Sequence, residues 1–305
     1  MNKIIAIGDL HGDYSAFTSL LRICTLIDSN DNWIGKDTYL IQLGDILDGK
    51  RPGVNLDPEY INEAGEIKII NLLLKLDSQA RNYSGRVISL LGNHELYPYY
   101  FRNNKTFLKG YVKKIDYEDY INTYKIHRND FYQPGNIGAL MMARTRPLLF
   151  QHGEFLFIHG SVTESLIKRG LDSTGKVNIN TLNNLTSNWL KGEGEIPSFL
   201  KDTTEENPVF SRLYSSVENV NDTLCKTFRN QLKFFNGVNF VVMGHSRFKK
   251  INSTCRKMLI RTDVGLSRGF GGKLEDKNLQ ALEIIQSPGK LPELNIISKN
   301  GKEPL

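Results

Sequence analysis

The sequence is poor in cysteine and has no long apolar run. Its 305 residues include three cysteines, Cys24, Cys225 and Cys255, which form no CxxC pair. An odd, scattered set is typical of reduced thiols, so we expect a cytoplasmic protein. No stretch is apolar enough to cross a bilayer, and the first motif lies too close to Met1 to leave room for a removable signal peptide. These absences argue against a membrane-spanning or secreted chain.

Linkers, internal repeats and low-complexity tracts are also missing. With 40% apolar residues, a chain of this length can bury its core as one large domain. We predict that domain over residues 1–286. Residues 287–305 contain three prolines, two glycines and little hydrophobic pattern, and are predicted to form a poorly packed C-terminal tail.

The net charge of +6 is unevenly distributed. From Arg247 to Leu305 there are 12 Lys/Arg and 6 Asp/Glu, whereas the other 246 residues hold 27 of each. A basic C-terminal part can attract nucleic acid or anionic substrates, and it can equally be a solvated surface. Charge alone does not choose between these readings.

Short apolar runs alternate with helix-like segments in the first half, which predicts an α/β fold. Strands are predicted at residues 3–8, 38–43 and 86–91, with helices near 14–26 and 61–76. Further strands are predicted at 147–150, 155–159, 240–243, 258–262 and 279–285. Residues 97–135 differ, because they hold eight of the 13 tyrosines. We predict a helical insert there, either a packed subdomain or one wall of a substrate cleft.

Polar side chains follow several of the predicted strands directly. Asp9 and His11 stand two residues apart after the first strand, so an extended backbone would aim both to the same side. Asp45 follows the second strand and Asn93 the third; His159 and His245 follow later strands. Ligands in open α/β sheets bind outside the carboxyl ends of strands, so these side chains are expected to meet.

This ligand set predicts a site for two metal ions. Carboxylates and imidazoles suit divalent metals of intermediate softness such as Mn, Fe or Zn, and Asp45 has two oxygens with which to bridge a pair. Paired ions about 3.5–4 Å apart lower the pKa of a water and stabilise an in-line displacement. Each motif alone is weak, and a lone histidine is more often a hydrogen-bonded core residue. Five strand ends, each followed by an Asp, His or Asn next to a glycine, are hard to explain as ordinary turns. Together they indicate a two-metal site for cleaving phosphoesters.

The order of the motifs resembles that of the calcineurin-like metallophosphoesterases. The segments are Gly8-Asp9-Leu10-His11-Gly12, Gly44-Asp45-Ile46-Leu47-Asp48-Gly49, Gly92-Asn93-His94-Glu95, His159-Gly160 and Gly244-His245-Ser246. The third of these motifs, in its Gly-Asn-His-Glu form, is similar to that of the phosphoprotein phosphatases. The second half resembles the Shewanella-like branch at residues 131–135, 146–148, 208–212 and 263–267. The resemblance implies a four-layer α/β/β/α sandwich with a dinuclear metal site.

Roles carried over from this resemblance cover the whole site. Asp9, His11 and Asp45 would hold the first metal; Asp45, Asn93, His159 and His245 would hold the second. His94 would act as general acid, with Asp48 orienting it. Arg212 matches an arginine that binds two phosphate oxygens, although an ordinary surface arginine is the alternative.

One position departs from the family pattern. An arginine that binds phosphate usually follows the residue matching Asp48, but this chain has Gly49. Lys50 or Arg51 can supply the missing charge if the loop shifts, and glycine permits such a shift.

These motifs predict a phosphomonoesterase that acts on phosphorylated protein side chains, either phospho-Ser/Thr or phospho-Tyr. The alternative within enzymes is a dinucleoside polyphosphate or RNA-end phosphohydrolase, which would use the same metal set. A catalytically dead phosphate-docking module is a third reading, supported by Gly49 alone.

Overall fold

Two mixed β-sheets form the centre of the protein. The computed structural model describes residues 2–216 and 220–305. The strands are β1 (Asn2–Ile7), β2 (Tyr39–Gln42), β3 (Arg86–Ser89), β4 (Leu149–His152), β5 (Phe155–Ile158), β6 (Phe240–Met243), β7 (Asn252–Thr254), β8 (Leu259–Arg261), β9 (Gln280–Gln286), β10 (Glu293–Ser298) and β11 (Gly301–Pro304).

Each sheet combines three parallel strands with antiparallel ones, which lie on one side of the first sheet and at both edges of the second. The first has the order β11-β10-β9-β1-β2-β3, in which β1, β2 and β3 run parallel. The second has the order β4-β5-β6-β8-β7, in which β5, β6 and β8 run parallel. All four residues of β5, Phe-Leu-Phe-Ile, are buried, as expected for a strand covered on both faces.

Helices cover the outer faces of the two sheets. They are α1 (Tyr14–Ile23), α2 (Pro58–Ile61), α3 (Glu66–Ala80), α4 (Asn93–Tyr100), α5 (Lys105–Lys109), α6 (Lys114–Tyr124), α7 (Arg128–Phe131), α8 (Ile137–Thr145), α9 (Glu164–Gly170), α10 (Ile179–Leu190) and α11 (Asp222–Leu232). One hydrophobic core joins α1, α3, the first sheet and the inner face of the second sheet. Another joins the outer face of the second sheet to α8, α9 and α10. The layers are therefore α/β/β/α, and the predicted fold class is confirmed.

The Tyr-rich segment 97–135 is helical in the structure. It contains the end of α4 together with α5, α6 and α7. The helix predicted near 61–76 is split, because α2 ends at Ile61 and α3 begins at Glu66.

The poorly packed tail predicted at 287–305 is wrong. Strand β10 pairs with β9, β11 pairs with β10, and Leu294 and Ile296 are buried in the first core. The prediction was wrong because it took the three prolines as a sign of irregular structure. Pro288 and Pro292 lie between β9 and β10, and Pro304 lies in β11, an edge strand that tolerates a missing N–H donor.

The prediction of reduced thiols is wrong for two of the three cysteines. Cys225 and Cys255 form a disulfide across a sequence separation of 30 residues, and Cys24 is free and buried. Helix α11 meets the turn between β7 and β8, which brings the two Cα atoms within 5.3 Å. Among the described residues, no helix combines the length and hydropathy that a membrane span requires.

Candidate active site

Six parallel strands deliver polar side chains to one edge of the sandwich. From the first sheet, β1 leads to Asp9 and His11, β2 to Asp45, and β3 to Asn93. From the second sheet, β5 leads to His159 and β6 to His245. Strand β8 leads to Asp263, which our sequence analysis did not include in the site. All seven side chains are buried.

Backbone hydrogen bonds connect the loops that carry these residues. The N–H groups of Leu10 and His11 both donate to the carbonyl of Asp45, each at 2.9 Å. Glu95 accepts from the backbone N–H of Asp45 at 2.8 Å and of Gly92 at 2.7 Å. Gly92 is required here, because a Cβ atom would lie 2.2 Å from Asp45 Oδ1. Glu95, the last residue of the Gly-Asn-His-Glu motif, therefore holds two of the loops together.

Several site residues adopt left-handed backbone conformations. His11 has φ +44°, Asp45 +55°, Asp48 +68° and His245 +68°. Asp and His accept this region more readily than most residues, and it is costly enough to be maintained mainly where surrounding contacts impose it. The extended backbone predicted to align Asp9 with His11 is therefore wrong. A tight turn at His11 brings the two side chains together instead.

One group of donors surrounds His159. Its Nε2 atom lies 3.0 Å from Asn93 Oδ1, 3.1 Å from His245 Nδ1 and 3.3 Å from Asp45 Oδ1. Two ligands bound to one ion at about 2.1 Å each can be at most about 4.2 Å apart. This group satisfies that limit at each of the three distances and fits one divalent ion.

A second group surrounds His11. Its Nε2 atom lies 3.8 Å from Asp9 Oδ2 and 3.9 Å from Asp45 Oδ2. The two oxygens of Asp45 therefore face different groups, which is the arrangement of a bridging carboxylate. Asp45, His159 and His245 form a potential metal cluster, as do His11, Asp45 and His94.

The ring orientation of each histidine ligand is held by a backbone carbonyl. His11 Nδ1 donates to Leu47 O at 3.0 Å, and His159 Nδ1 donates to Leu43 O at 2.7 Å. His245 uses the opposite nitrogen, with Nε2 donating to Phe210 O at 3.0 Å. In each case the hydrogen-bonded nitrogen carries the proton and the other faces the group, as is typical of metal-binding histidines.

Burial and mutual proximity shift the pKa values of these groups. Burial, joined by Asp263, raises the pKa of Asp9, whereas burial and the nearby Arg51 cation lower the pKa of His11. Burial acts to lower the pKa of His159, but Asp45 raises it to about 9. Buried carboxylates and imidazoles so close together indicate a site that cations would stabilise.

His94 lies beside the two groups and is paired with Asp48. Its Nδ1 atom is 2.8 Å from Asp48 Oδ2, and its Nε2 atom is 3.8 Å from Asp45 Oδ2. Burial acts to raise the pKa of Asp48, but the Arg128 guanidinium, the hydrogen bond from His94 and the Arg51 cation together lower it. An ionised Asp48 accepts the Nδ1 proton and leaves Nε2 directed toward the ligand groups.

The three candidate phosphate-binding residues differ in their placement. Arg51 reaches the site, because its Nη2 atom donates to His11 Nε2 at 2.7 Å and its guanidinium stacks on Phe270 at 4.6 Å. Arg212 lies at the rim, where Nη1 donates to His245 O and Ser246 Oγ, both at 3.0 Å. The ammonium of Lys50 makes no hydrogen bond or ion pair to any described residue.

A cluster of aromatic side chains packs beside His94. Tyr97 stacks at a tilt on the imidazole with a centroid distance of 4.1 Å, and Phe210 stacks on Tyr97 at 6.0 Å. Phe107 and Tyr111 complete this set, which we call the aromatic wall. All four rings are partly exposed, and three come from the Tyr-rich segment 97–135.

Sequence reasoning missed several residues of this neighbourhood. Asp263 could have been found, since it follows a predicted strand as the other ligands do. Phe270, whose ring stacks on Arg51, and Arg128, which contacts Asp48, had no such signal. Their proximity to the site depends on loops and on the insert.

Known proteins resemble this chain in sequence. The family model described as calcineurin-like phosphoesterase matches residues 2–246. Shewanella-like protein phosphatase 2 of Arabidopsis thaliana is 27% identical over 94% of this chain and 76% of its own length. Shewanella-like protein phosphatase 1 of Plasmodium berghei is 27% identical over 96% of this chain and 78% of its own length.

A solved structure shows the same fold. The cold-active protein-tyrosine phosphatase of a psychrophilic Shewanella species matches with a TM-score of 0.74 at 19% identity, covering 100% of this chain and 80% of that one. The family match spans the five motifs predicted to bind metal, and the structure brings their side chains together. The chain belongs to the calcineurin-like phosphoesterase family.

Proposed function

We propose that this protein is a phosphoprotein phosphatase that hydrolyses phosphomonoesters with two divalent metal ions. The observation that carries the proposal is the cluster of six potential ligand side chains, with Asp45 between the two groups and the His94–Asp48 pair directly beside them. The ligands are Asp9, His11, Asp45, Asn93, His159 and His245.

The donor chemistry supports Mn as the native pair, with Fe or Zn as alternatives. Imidazole, carboxylate and amide oxygen donors without thiolate suit these metals. When bound, the ions supply Lewis acidity toward the phosphoryl oxygens and lower the pKa of an attacking water.

His94 performs the proton transfer in this proposal. Its Nδ1 proton is held by Asp48 at 2.8 Å, so a proton on Nε2 is available to the leaving oxygen of the substrate. A leaving alkoxide or phenoxide departs more easily as the neutral alcohol or phenol.

Arg51 takes the role of the arginine that the family usually has at the position of Gly49. Of the two residues able to replace it, Arg51 is the one whose cation enters the site. An ion held by His11 Nε2 would replace its present hydrogen bond, freeing the guanidinium to bind phosphate oxygens. Arg212 supplies a second cation at the rim, beside His245.

The aromatic wall favours phosphotyrosine as the substrate side chain. A phenyl ring leaving from phosphate next to His94 can stack on Tyr97 or Phe210, whereas a serine side chain cannot. The solved structure from Shewanella is itself that of a protein-tyrosine phosphatase, which supports the same choice.

A nucleotide or nucleic-acid substrate is not favoured. The relatives named above are protein phosphatases. Within the basic C-terminal part, Arg268 is not available to an anionic ligand, because it is buried in ion pairs with Asp13 and Glu63.

The proposal is tested with purified protein, Mn, Fe(II) or Zn, and a panel of substrates. The panel contains phosphotyrosine and phosphoserine peptides, para-nitrophenyl phosphate, a dinucleoside polyphosphate and phosphorylated RNA ends. We expect metal-dependent turnover of the phosphotyrosine peptide, abolished by chelator. Turnover confined to nucleotides would contradict the proposal, and no turnover from folded, metal-loaded protein would favour the docking module.

His94→Asn tests the proton donor. We expect turnover of substrates with poor leaving groups to fall by about 10²–10⁴-fold, because the leaving oxygen loses its acid. Metal content, measured by mass spectrometry of the eluted ions, should stay the same. An unchanged rate on phosphoserine peptide would remove His94 from this role.

A cytoplasmic location remains a prediction. Two of the three cysteines on which it depended are bridged, and such bonds persist mainly in oxidising compartments.

A further inference from the structure

Arg128 is a buried cation behind the general acid. It lies at the start of α7, in the Tyr-rich segment, and its side chain is completely buried. The insert therefore places a guanidinium beneath the active site rather than on the surface.

Arg128 contacts two carboxylates at short distances. Its Nη2 atom donates to Asp48 Oδ1 at 2.7 Å and to Glu66 Oε1 at 2.9 Å, and its Nε atom donates to Glu66 Oε2 at 2.6 Å. Glu66 in turn accepts from the backbone N–H of Asp48 at 2.8 Å. Asp48 is thus held by a side-chain contact to Arg128 and by a backbone contact to Glu66.

The two oxygens of Asp48 serve different partners. Oδ1 accepts from Arg128, and Oδ2 contacts His94 Nδ1 at 2.8 Å. The backbone of Asp48 has φ +68°, a conformation that needs support from its surroundings. Rotation of the carboxylate would break at least one of these hydrogen bonds, so Arg128 restricts the orientation of His94.

Packing alone does not account for this arrangement. Burying a guanidinium is costly, and well-packed apolar residues of similar size often stabilise a core as well or better. The Nη1 atom of Arg128 is buried without a hydrogen-bond partner. This unfavourable burial is explained if Arg128 has a geometric role, in which its guanidinium fixes the position of the Asp48 carboxylate.

We propose that Arg128 is a positioning residue for proton donation by His94, and that through it the Tyr-rich insert supports the active site. The inference rests on the proposed function, because it assumes that His94 protonates a leaving group. Arg128 touches neither the reacting atoms nor the ligand groups, so it acts through Asp48.

The experiment compares leaving groups in Arg128→Lys and Arg128→Met. Phosphotyrosine peptide needs protonation more than para-nitrophenyl phosphate, whose phenolate leaves readily. We expect kcat to fall about 10–100-fold on the peptide, the range for residues that orient a functional group, and much less on para-nitrophenyl phosphate. Metal content should match the wild type.

A double-mutant cycle with Asp48→Asn separates positioning from folding. If Arg128 acts through Asp48, Arg128→Lys should add little to the loss that Asp48→Asn causes on the peptide. Arg268→Lys is the matched control, because Arg268 is also buried and paired with two carboxylates, Asp13 and Glu63. Arg268→Lys should lower the melting temperature without changing the ratio of the rate on the phosphotyrosine peptide to the rate on para-nitrophenyl phosphate.

If the wild type shows metal-dependent turnover, two results would overturn this inference and leave the proposed function standing. One is an equal loss of kcat on both substrates, and the other is a fully additive loss of kcat in the double-mutant cycle. If both Arg128 variants fail to fold, Glu66→Gln removes one anchor of Arg128 and should give the same selective loss. A wild type without metal-dependent turnover would overturn the proposed function, and this inference with it.

Discussion

Asp45 is the residue on which the whole site depends. Its carboxylate faces His159 through Oδ1 at 3.3 Å and His11 through Oδ2 at 3.9 Å, while its backbone carbonyl accepts from the loop that carries His11. Although burial acts in the opposite direction, the imidazoles of His159 and His94 hold the pKa of Asp45 well below its usual range. One anionic side chain therefore links both ligand groups.

Asp45→Asn should weaken the binding of both ions together. An amide has one oxygen and no charge, so we expect each affinity to fall at least about tenfold, or ~1.4 kcal/mol. Metal stoichiometry measured at limiting Mn checks this result. His245→Asn is the control, since His245 belongs to one group and should weaken one ion. Loss of a single ion in Asp45→Asn would argue against bridging.

Arg51→Ala should weaken phosphate binding. A lost hydrogen bond to a charged group is worth about 1.5–3 kcal/mol, so we expect inhibition by inorganic phosphate to weaken roughly 10–100-fold. The inhibition constant measures this directly. Lys50→Ala is the matched comparison from the same loop. A larger effect from Lys50→Ala would assign the role of the missing arginine to Lys50.

At the scale of elements, connections distant in sequence stabilise the second sheet. Helix α11 is tied to the turn between β7 and β8 by the Cys225–Cys255 disulfide. The bridge closes a segment of 30 residues, which reduces the conformational freedom of the unfolded chain.

Replacing Cys225 and Cys255 by Ser should lower the free energy of unfolding by about 3–4 kcal/mol, given this loop length. Urea denaturation of the two proteins measures the difference, and reductant should destabilise the wild type alone. Alkylation under denaturing conditions without reductant should label one thiol per chain, Cys24. Three labelled thiols would show that the bridge does not form.

At the scale of the whole molecule, the insert and the sandwich share a buried ionic region. Asp116 of α6 accepts from the backbone N–H of Gly65 at 3.1 Å and lies 3.7 Å from Lys113 Nζ. Burial, and next the Glu66 carboxylate, raise the pKa of Asp116 to about 7. The carboxyl is therefore protonated in the folded protein at pH values where it is ionised in the unfolded chain.

This shift makes stability fall as pH rises. The contribution of Asp116 to the free energy of unfolding is fully present below about pH 4, the pKa of an unfolded aspartate. It is lost as pH rises through about 7. Relative to Asp116→Asn, the wild type should lose up to about 1.4 kcal/mol per pH unit in this range. Urea denaturation of the metal-free proteins at several pH values measures it. Parallel pH profiles for the two proteins would contradict the shift.

The candidate ligand residues could be read from the sequence because their signals are local. A short apolar strand followed by Gly and an Asp, His or Asn marks a strand end, and parallel strands bring such ends to one edge. The candidate set Asp9, His11, Asp45, Asn93, His159 and His245 followed from that pattern. The α/β class followed from the alternation of strand and helix patterns, and the four-layer sandwich from the family resemblance.

Tertiary structure alone decided what depends on contacts between distant segments. Strand β10 forms because β9 offers an edge for pairing, and the disulfide forms because α11 meets a hairpin turn. Arg51 enters the site, and Arg128 reaches Asp48 from 80 residues away in the chain. The sequence by itself determined the candidate ligands, since strand ends are encoded locally. The partners that orient these side chains were determined by packing, which no local pattern records.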